Sequence, residues 1–336
     1  NIDYLLITHE EIVQMHQDQL PFIKSAFNKS DVAAEFLDNT TSYIDLNKLI
    51  STNGDWAQIY KVDSSKTGIL TDSWRSYKKK FITISGQVID PQNGNTTSEG
   101  QSYALLRSVD MKDEVEFKRV WKWTQENLQK RKGDSLFVWK VPVYQEPGSQ
   151  LTDTNTASDA DQDIAYALIK AYLTWGNKQY LTDAQSILND IWNKEVISRN
   201  GQLYLVSGAD YSTTDYLSTN NLLINPSYLA PYEYKIFAKI DKQHNWTKLS
   251  NDSYNLLAKI QASSKVNLIS NWIAVKPDSS LVSASDFGVL SPDSFSYDAF
   301  RVSWRMANDL HDPRAQSILQ KLNELYQSEW TKNHLI

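Results

Sequence analysis

A chain of 336 residues, 41% of them hydrophobic, can fill the core of one large domain or two small ones. Its net charge of −6 argues against a nucleic-acid partner, because holding a phosphate backbone takes clustered Lys and Arg. Cysteine is absent, which excludes disulfides, thiolate catalysis and Cys-ligated metals, and His9, His16, His244, His311 and His334 show no metal-ligand spacing.

The first predicted element is an amphipathic helix over 9–28, bent or split at Pro21. Residues 1–70 read as an N-terminal extension packing on the body that follows. No apolar run approaches the ~20 residues that cross a bilayer. The chain starts at Asn1 and not at Met, which fits a removed export signal or anchor. A helix over 70–81 carries the one dense basic run, Lys78-Lys79-Lys80, as a solvated face. Helices over 98–110 and 114–130 follow the β-prone stretch 81–84. In the second of these, Phe117, Val120, Trp121, Trp123 and Thr124 form a broad apolar face, with Lys118, Lys122 and Glu126 pointing away.

Beyond a β-prone stretch at 136–139, the helix over 159–176 shows Ile164, Leu168 and Tyr172 every four residues, with Ala165 and Ile169 beside them. Helices at 182–198, 227–240, 246–262, 296–310 and 312–333 complete the order, interrupted by β-prone stretches at 203–206 and 272–275. Pro226, Pro231 and Pro313 fall before or within the first turn of a helix, where proline is tolerated. Two long polar loops, about 141–157 and 207–224, are of the kind that is functional or disordered. Consecutive helices joined at alternating ends, with only short hairpins between them, predict an all-α fold, an α/α toroid over 71–336. The chain holds 11 Trp, 18 Tyr and 10 Phe. Since each buried Tyr hydroxyl needs a partner, some of these rings should line a wet groove.

Three carboxylates stand where a polar turn becomes a helix: Glu99 after Thr97-Ser98, Asp159 after Ala157-Ser158, and Asp298 after Ser296-Tyr297. Hydrolysis of a sugar polymer takes one proton donor, one acceptor and flat rings for the sugars. Glu99, with Ser98 as its expected N-cap, is either an acid complementing the helix dipole or a general acid. The second role requires its pKa to rise from roughly 4.3 to ~6. Asp159 beside it is the expected cause of that rise. Asp159, Asp161 and Asp163 lie two apart, so only Asp159 and Asp163 share a helix face. Asp161 and Asp163 read as capping and dipole compensation. Asp298 and Arg301, three apart, are either a local surface pair or a base held charged and oriented by its arginine.

Taken together, these motifs resemble glycoside hydrolase family 8, closest to the endoglucanases encoded with bacterial cellulose synthase. The likeness covers about 73–310. It runs through the stretch from Ser73 to Ile82, Gly86-Gln87-Val88-Ile89-Asp90, Thr97 to Gln101, the long segment from Ala157 to Trp175, Asn225-Pro226-Ser227-Tyr228, and Tyr297 to Arg301. The resemblance implies an (α/α)6 barrel and hydrolysis of a β-1,4-linked polysaccharide with inversion. Glu99 matches the proton donor, Asp298 the base, and Asp159 the aspartate that positions the sugar and the attacking water. Tyr228, Tyr297 and Arg301 match residues lining the central subsites, and Trp139 a stacking platform. No cofactor or metal is implied.

The expected partner is the polysaccharide, cellulose or a β-glucan first and a chitosan-like amino-sugar polymer second, with a link to exopolysaccharide synthesis machinery. A non-catalytic polysaccharide-binding protein is the rival from another class. The expected setting is a monomer, extracellular or anchored at the cell surface. The stretch after Asp298 is short for the family, and the helix near 9–28 is expected to complete the toroid in its place.

Overall fold

The computed structural model describes residues 68–142, 153–212 and 220–333, together with the backbone of three strands nearer the N-terminus. The chain divides after Lys80 into two compact units. The first holds an antiparallel sheet that the sequence analysis does not anticipate. Its strands are β1 (Tyr4–Thr8), β2 (Ile44–Thr52) and β3 (Asp55–Val62), in the order β1-β3-β2, with an irregularity between Leu46 and Lys48. The helix expected at 9–28 lies outside the described residues. Helix α1 (Gly68–Phe81) follows and carries Lys78, Lys79 and Lys80 in its last turn, where cations complement the helix dipole.

The second unit alternates helices and short hairpins. β4 (Thr96–Thr97) leads into α2 (Ser98–Asp110), which is followed by α3 (Glu114–Asn127) and β5 (Lys140–Val141). Next come α4 (Ser158–Trp175), α5 (Lys178–Lys194), β6 (Val196–Arg199), β7 (Gln202–Leu205) and β8 (Leu222–Ile224). The remaining elements are α6 (Pro231–Ile240), α7 (Trp246–Ser263), β9 (Ile273–Val275), β10 (Leu281–Val282), α8 (Tyr297–Ala307) and α9 (Pro313–Asn333). Each of α2, α4, α6 and α8 packs on the helix that follows it, and α4 also packs on α2 and α6, as α8 does on α6. These four antiparallel pairs are the inner-and-outer alternation of an (α/α)6 barrel.

Local chemistry explains where the elements stop. Gly176, in the left-handed conformation at φ 75°, ends α4, and the Asn177 side chain accepts from Gln179 N to start α5 two residues later. That cap starts the helix at Lys178, ahead of the expected 182. Pro226 and Pro231 divide the segment expected as one helix over 227–240. Residues 226–228 form a single 3-10 turn capped by Asn225, and α6 begins at Pro231. Of the β-prone stretches, 203–206 and 272–275 become β7 and β9. The stretch at 81–84 yields only an isolated bridge, Ile82 to Val88, and 136–139 is irregular until β5. β6 and β7 close through Asn200 (φ 49°) and Gly201 (φ 76°), the positive-φ pair that a two-residue hairpin requires.

Helix α4 is the centre of the core. Ile164, Ala165, Leu168 and Ile169 are fully buried, and so are the polar residues of its first turns. On α3, Phe117, Val120, Trp121 and Thr124 face inward as the periodicity predicts. The acid-bearing N-terminal turns of α2, α4 and α8 come together.

Candidate active site

Glu99 is the second residue of α2. The cap is Thr97, whose hydroxyl accepts from Gly100 N at 3.0 Å, and not Ser98, whose hydroxyl turns to the Trp139 carbonyl. Tyr103, one turn along, donates its hydroxyl to Glu99 Oε1 at 2.7 Å. Arg301 Nη1 donates to the same oxygen, and among the described residues no donor reaches Oε2. The same Nη1 reaches Asp159 Oδ2 at 3.3 Å, and Nη2 reaches Asp298 Oδ1 at 2.6 Å. One guanidinium therefore gathers carboxylates from three helices.

Two carboxylates on the two ends of one guanidinium are at most roughly 8 Å apart, so the arginine brings Glu99 and Asp298 to the same place. Glu99 and Asp298 keep side-chain exposures of 36% and 33%, whereas Asp159 keeps 1%. Burial, reinforced by the Glu99 charge and opposed by Arg301, pushes Asp159 up to about 8. Near neutral pH the cluster thus stores a proton on Asp159, in hydrogen-bonding reach of the arginine that also holds Glu99. Asp159, expected to raise Glu99 through its charge, is instead the group that is raised, by its own burial.

The two-residue spacing on α4 sends its aspartates in different directions. Asp159 and Asp163 share the face toward α8, meeting Arg301 and Arg305 in turn. Asp161 points the other way, to Phe137 N at 3.0 Å. Asp161 and Asp163, read as capping and dipole compensation, cap no N–H of α4: both are fully buried and bound to other elements. Arg305, which the sequence analysis overlooks, is clamped by Asp163 at 2.5 and 3.0 Å. It also reaches Glu233 at 3.2 Å and the Tyr232 hydroxyl at 3.1 Å. The signal for it lies in the sequence: Arg305 is one helical turn after Arg301, on the same face of α8.

Burial, reinforced by the Asp163 charge and opposed by Arg305, pushes Glu233 well above the usual carboxylate range. Removing Asp163 leaves a buried guanidinium that Glu233 can partly neutralise by ionising. Asp163→Ala is therefore expected to cost about 3 kcal/mol, the lower end for breaking a buried pair, measured by denaturant unfolding.

The aromatic residues frame the cluster. The Arg301 guanidinium stands over the Tyr228 ring at 5.5 Å, and Tyr228 meets Trp272 edge-on at 6.0 Å. Pairing of β4 with β5, and Ser98 N on the Trp139 carbonyl at 2.9 Å, place Trp139 beside the start of α2. Its indole N–H donates to Asp153 Oδ2 at 2.6 Å, with Lys140 Nζ 4.6 Å from the ring centroid. Tyr297 is 91% exposed and makes no contact with the three carboxylates among the described residues. Tyr103 and Trp304 meet edge-on at 5.9 Å on the flank of Glu99. Asn271, a residue sequence reasoning misses, accepts from Ser296 N and Ala299 N, both at 3.1 Å. It thereby caps α8 from outside, where no local motif marks it, and fixes the turn that carries Asp298.

Residues 50–333 match the model of Glycosyl hydrolases family 8. An endoglucanase of Cellulomonas uda is 30% identical over 233 residues, covering 68% of this chain and 61% of that protein. The chain thus spans less than two thirds of that relative's length. A family 8 endo-β-1,4-glucanase from an Achatina fulica gut metagenomic library has a similar structure, with a TM-score of 0.66 and 30% identity. The match covers 76% of this chain and 77% of that one. The endo-β-1,4-glucanase CMCax of Acetobacter xylinum gives 0.66 at 26% identity, covering 74% and 75%.

Proposed function

We propose that this chain, which belongs to glycosyl hydrolases family 8, cleaves internal bonds of a β-1,4-linked polysaccharide, with cellulose or a β-glucan as substrate. The observation that carries this reading is the single guanidinium of Arg301 joined to Glu99, Asp159 and Asp298. The endoglucanase names of the relatives support the substrate class. In the proposed reaction Glu99 gives a proton to the glycosidic oxygen as the C1–O bond breaks. A water attacks C1 from the opposite face, and Asp298 takes the proton that the water releases. Asp159 positions the sugar and that water, and Arg301 keeps Asp298 charged and oriented. Arg301 Nε is buried without an acceptor among the described residues, so a sugar hydroxyl or a water is the partner that would complete it. Tyr228 and Trp139 supply ring faces for adjacent sugars. We further propose work outside the cytoplasm, where such polymers are laid down, alongside exopolysaccharide synthesis.

The test is reducing-sugar release from soluble β-glucans, with product anomers followed by NMR. Rapid cleavage whose new reducing end first appears as the α-anomer is expected, because a β-bond hydrolysed with inversion gives it. Binding without turnover would overturn the enzymatic reading, and a β-anomer would overturn inversion. Preferential cleavage of chitosan would move the substrate to an amino-sugar polymer.

A further inference from the structure

Behind the catalytic cluster lies a second pair of acids that the proposed reaction does not use. Asp161, in the first turn of α4, and Glu195, at the end of α5, are both fully buried. Asp161 Oδ1 accepts Phe137 N–H at 3.0 Å, and Glu195 Oε1 accepts the Thr156 hydroxyl at 2.5 Å. Thr156 in turn accepts Ala209 N–H at 2.8 Å. Asp161 Oδ2 and Glu195 Oε2 receive no N–H or O–H donor among the described residues, and the two side chains lie within hydrogen-bonding reach of each other. Two carboxyl groups can make that contact only if one of them carries a proton.

Each partner of the pair sits next to a residue of the site. Phe137 is two residues before Trp139, whose N–H is held by the Asn155 carbonyl at 2.9 Å. Asp161 is two residues after Asp159, and Thr156 is three before it. The pair thus ties together the irregular segment bearing Trp139, the start of α4 and the hairpin of β6 and β7. We propose that Asp161 and Glu195 share one proton and act as positioning residues, holding Trp139 and Asp159 in register from behind the carboxylate cluster.

The charges around the pair agree with a single proton. Among the described residues the cation facing it is Arg131, which is already bound to Asp134 at 3.0 Å and to Asp210 at 3.5 Å. Asp190, on α5, is engaged with Ser135 N at 2.7 Å. Without the proton, two anions would touch in a dry interior. Burial raises Asp161 to about 7 and Glu195 well above the usual carboxylate range. A folded-state pKa above the unfolded value stabilises fully below the unfolded pKa. That stabilisation is lost as pH rises through the folded pKa, so this pair destabilises the fold progressively from about pH 4 upward.

The experiment compares the wild type with Glu195→Gln and Glu195→Ala. Glutamine supplies a permanent N–H to Asp161, so the loss of stability as pH rises above about 4 should be shallower in Glu195→Gln than in the wild type. An unchanged slope would overturn the shared proton. On β-glucan near neutral pH, well below the melting temperatures, Glu195→Ala should lose about tenfold or more in kcat/KM. The loss should be split between a lower kcat, from Asp159, and a higher KM, from Trp139, and glutamine should restore most of it. If Glu195→Ala does not fold, Thr156→Val cuts the same tie and should show the same split. Wild-type kcat/KM in the truncated variant that folds would overturn the positioning role. That role rests on the proposed hydrolysis, whereas the pH–stability arm needs no substrate, so failure of one is distinguishable from failure of the other.

Discussion

Glu99→Gln should lower kcat/KM on a soluble β-glucan by about 10³-fold while leaving the fold intact. The substitution keeps an oxygen where Tyr103 and Arg301 donate and removes only the capacity to deliver a proton. With 36% of the side chain exposed, no buried charge is created or stranded, so thermal melting should move little. The roles of the two exposed acids separate with an activated aryl glycoside, whose leaving group departs without protonation. Glu99→Gln should recover most of its rate on that substrate, and Asp298→Asn should not, because a water must still be deprotonated. Rescue of Asp298→Asn and not of Glu99→Gln would exchange the two assignments.

Arg301→Lys should reduce kcat/KM by about 10²- to 10³-fold despite keeping the positive charge. An ammonium is a point charge, and it cannot place separate N–H groups on Glu99, Asp159 and Asp298 at once. Arg301→Met makes a stronger test, because it removes the charge that opposes the rise of the Asp159 pKa. Asp159, at about 8 in the wild type, already loses stabilisation as pH rises from roughly 4 through 8. Without Arg301 its folded-state pKa moves higher, so the loss continues further into alkaline pH. The melting temperature of Arg301→Met should therefore keep falling above about pH 8, where the Asp159 contribution in the wild type levels off. Equal slopes would show that Arg301 does not hold the buried charge.

The three-aspartate run shows how far local reasoning reaches. Helical periodicity correctly places Asp159 and Asp163 on one face and Asp161 on another, because side-chain direction follows from residue spacing alone. Spacing cannot say what each face meets. The reading of Asp161 and Asp163 as dipole compensation fails because their partners, Glu195 and Arg305, lie 34 and 142 positions further along the chain. The cap of α2 is a smaller case of the same kind. Thr97 and Ser98 are equally good N-caps in composition, and the pairing of β4 with β5 draws Ser98 toward Trp139, leaving Thr97 to cap. Asn271 caps α8 from 25 residues upstream of Ser296, beyond any local capping motif.

Helix order from residue 68 onward, the apolar faces, the proline breaks and the three helix-starting acids follow from the sequence by itself. They do so because backbone propensity and side-chain periodicity act over a few residues. Which of those acids is dry, which holds a proton and which arginine gathers them was decided by tertiary structure. Burial and charge proximity depend on side chains brought within a few ångströms by helices far apart in the chain, and in a low-dielectric interior those distances set ionisation.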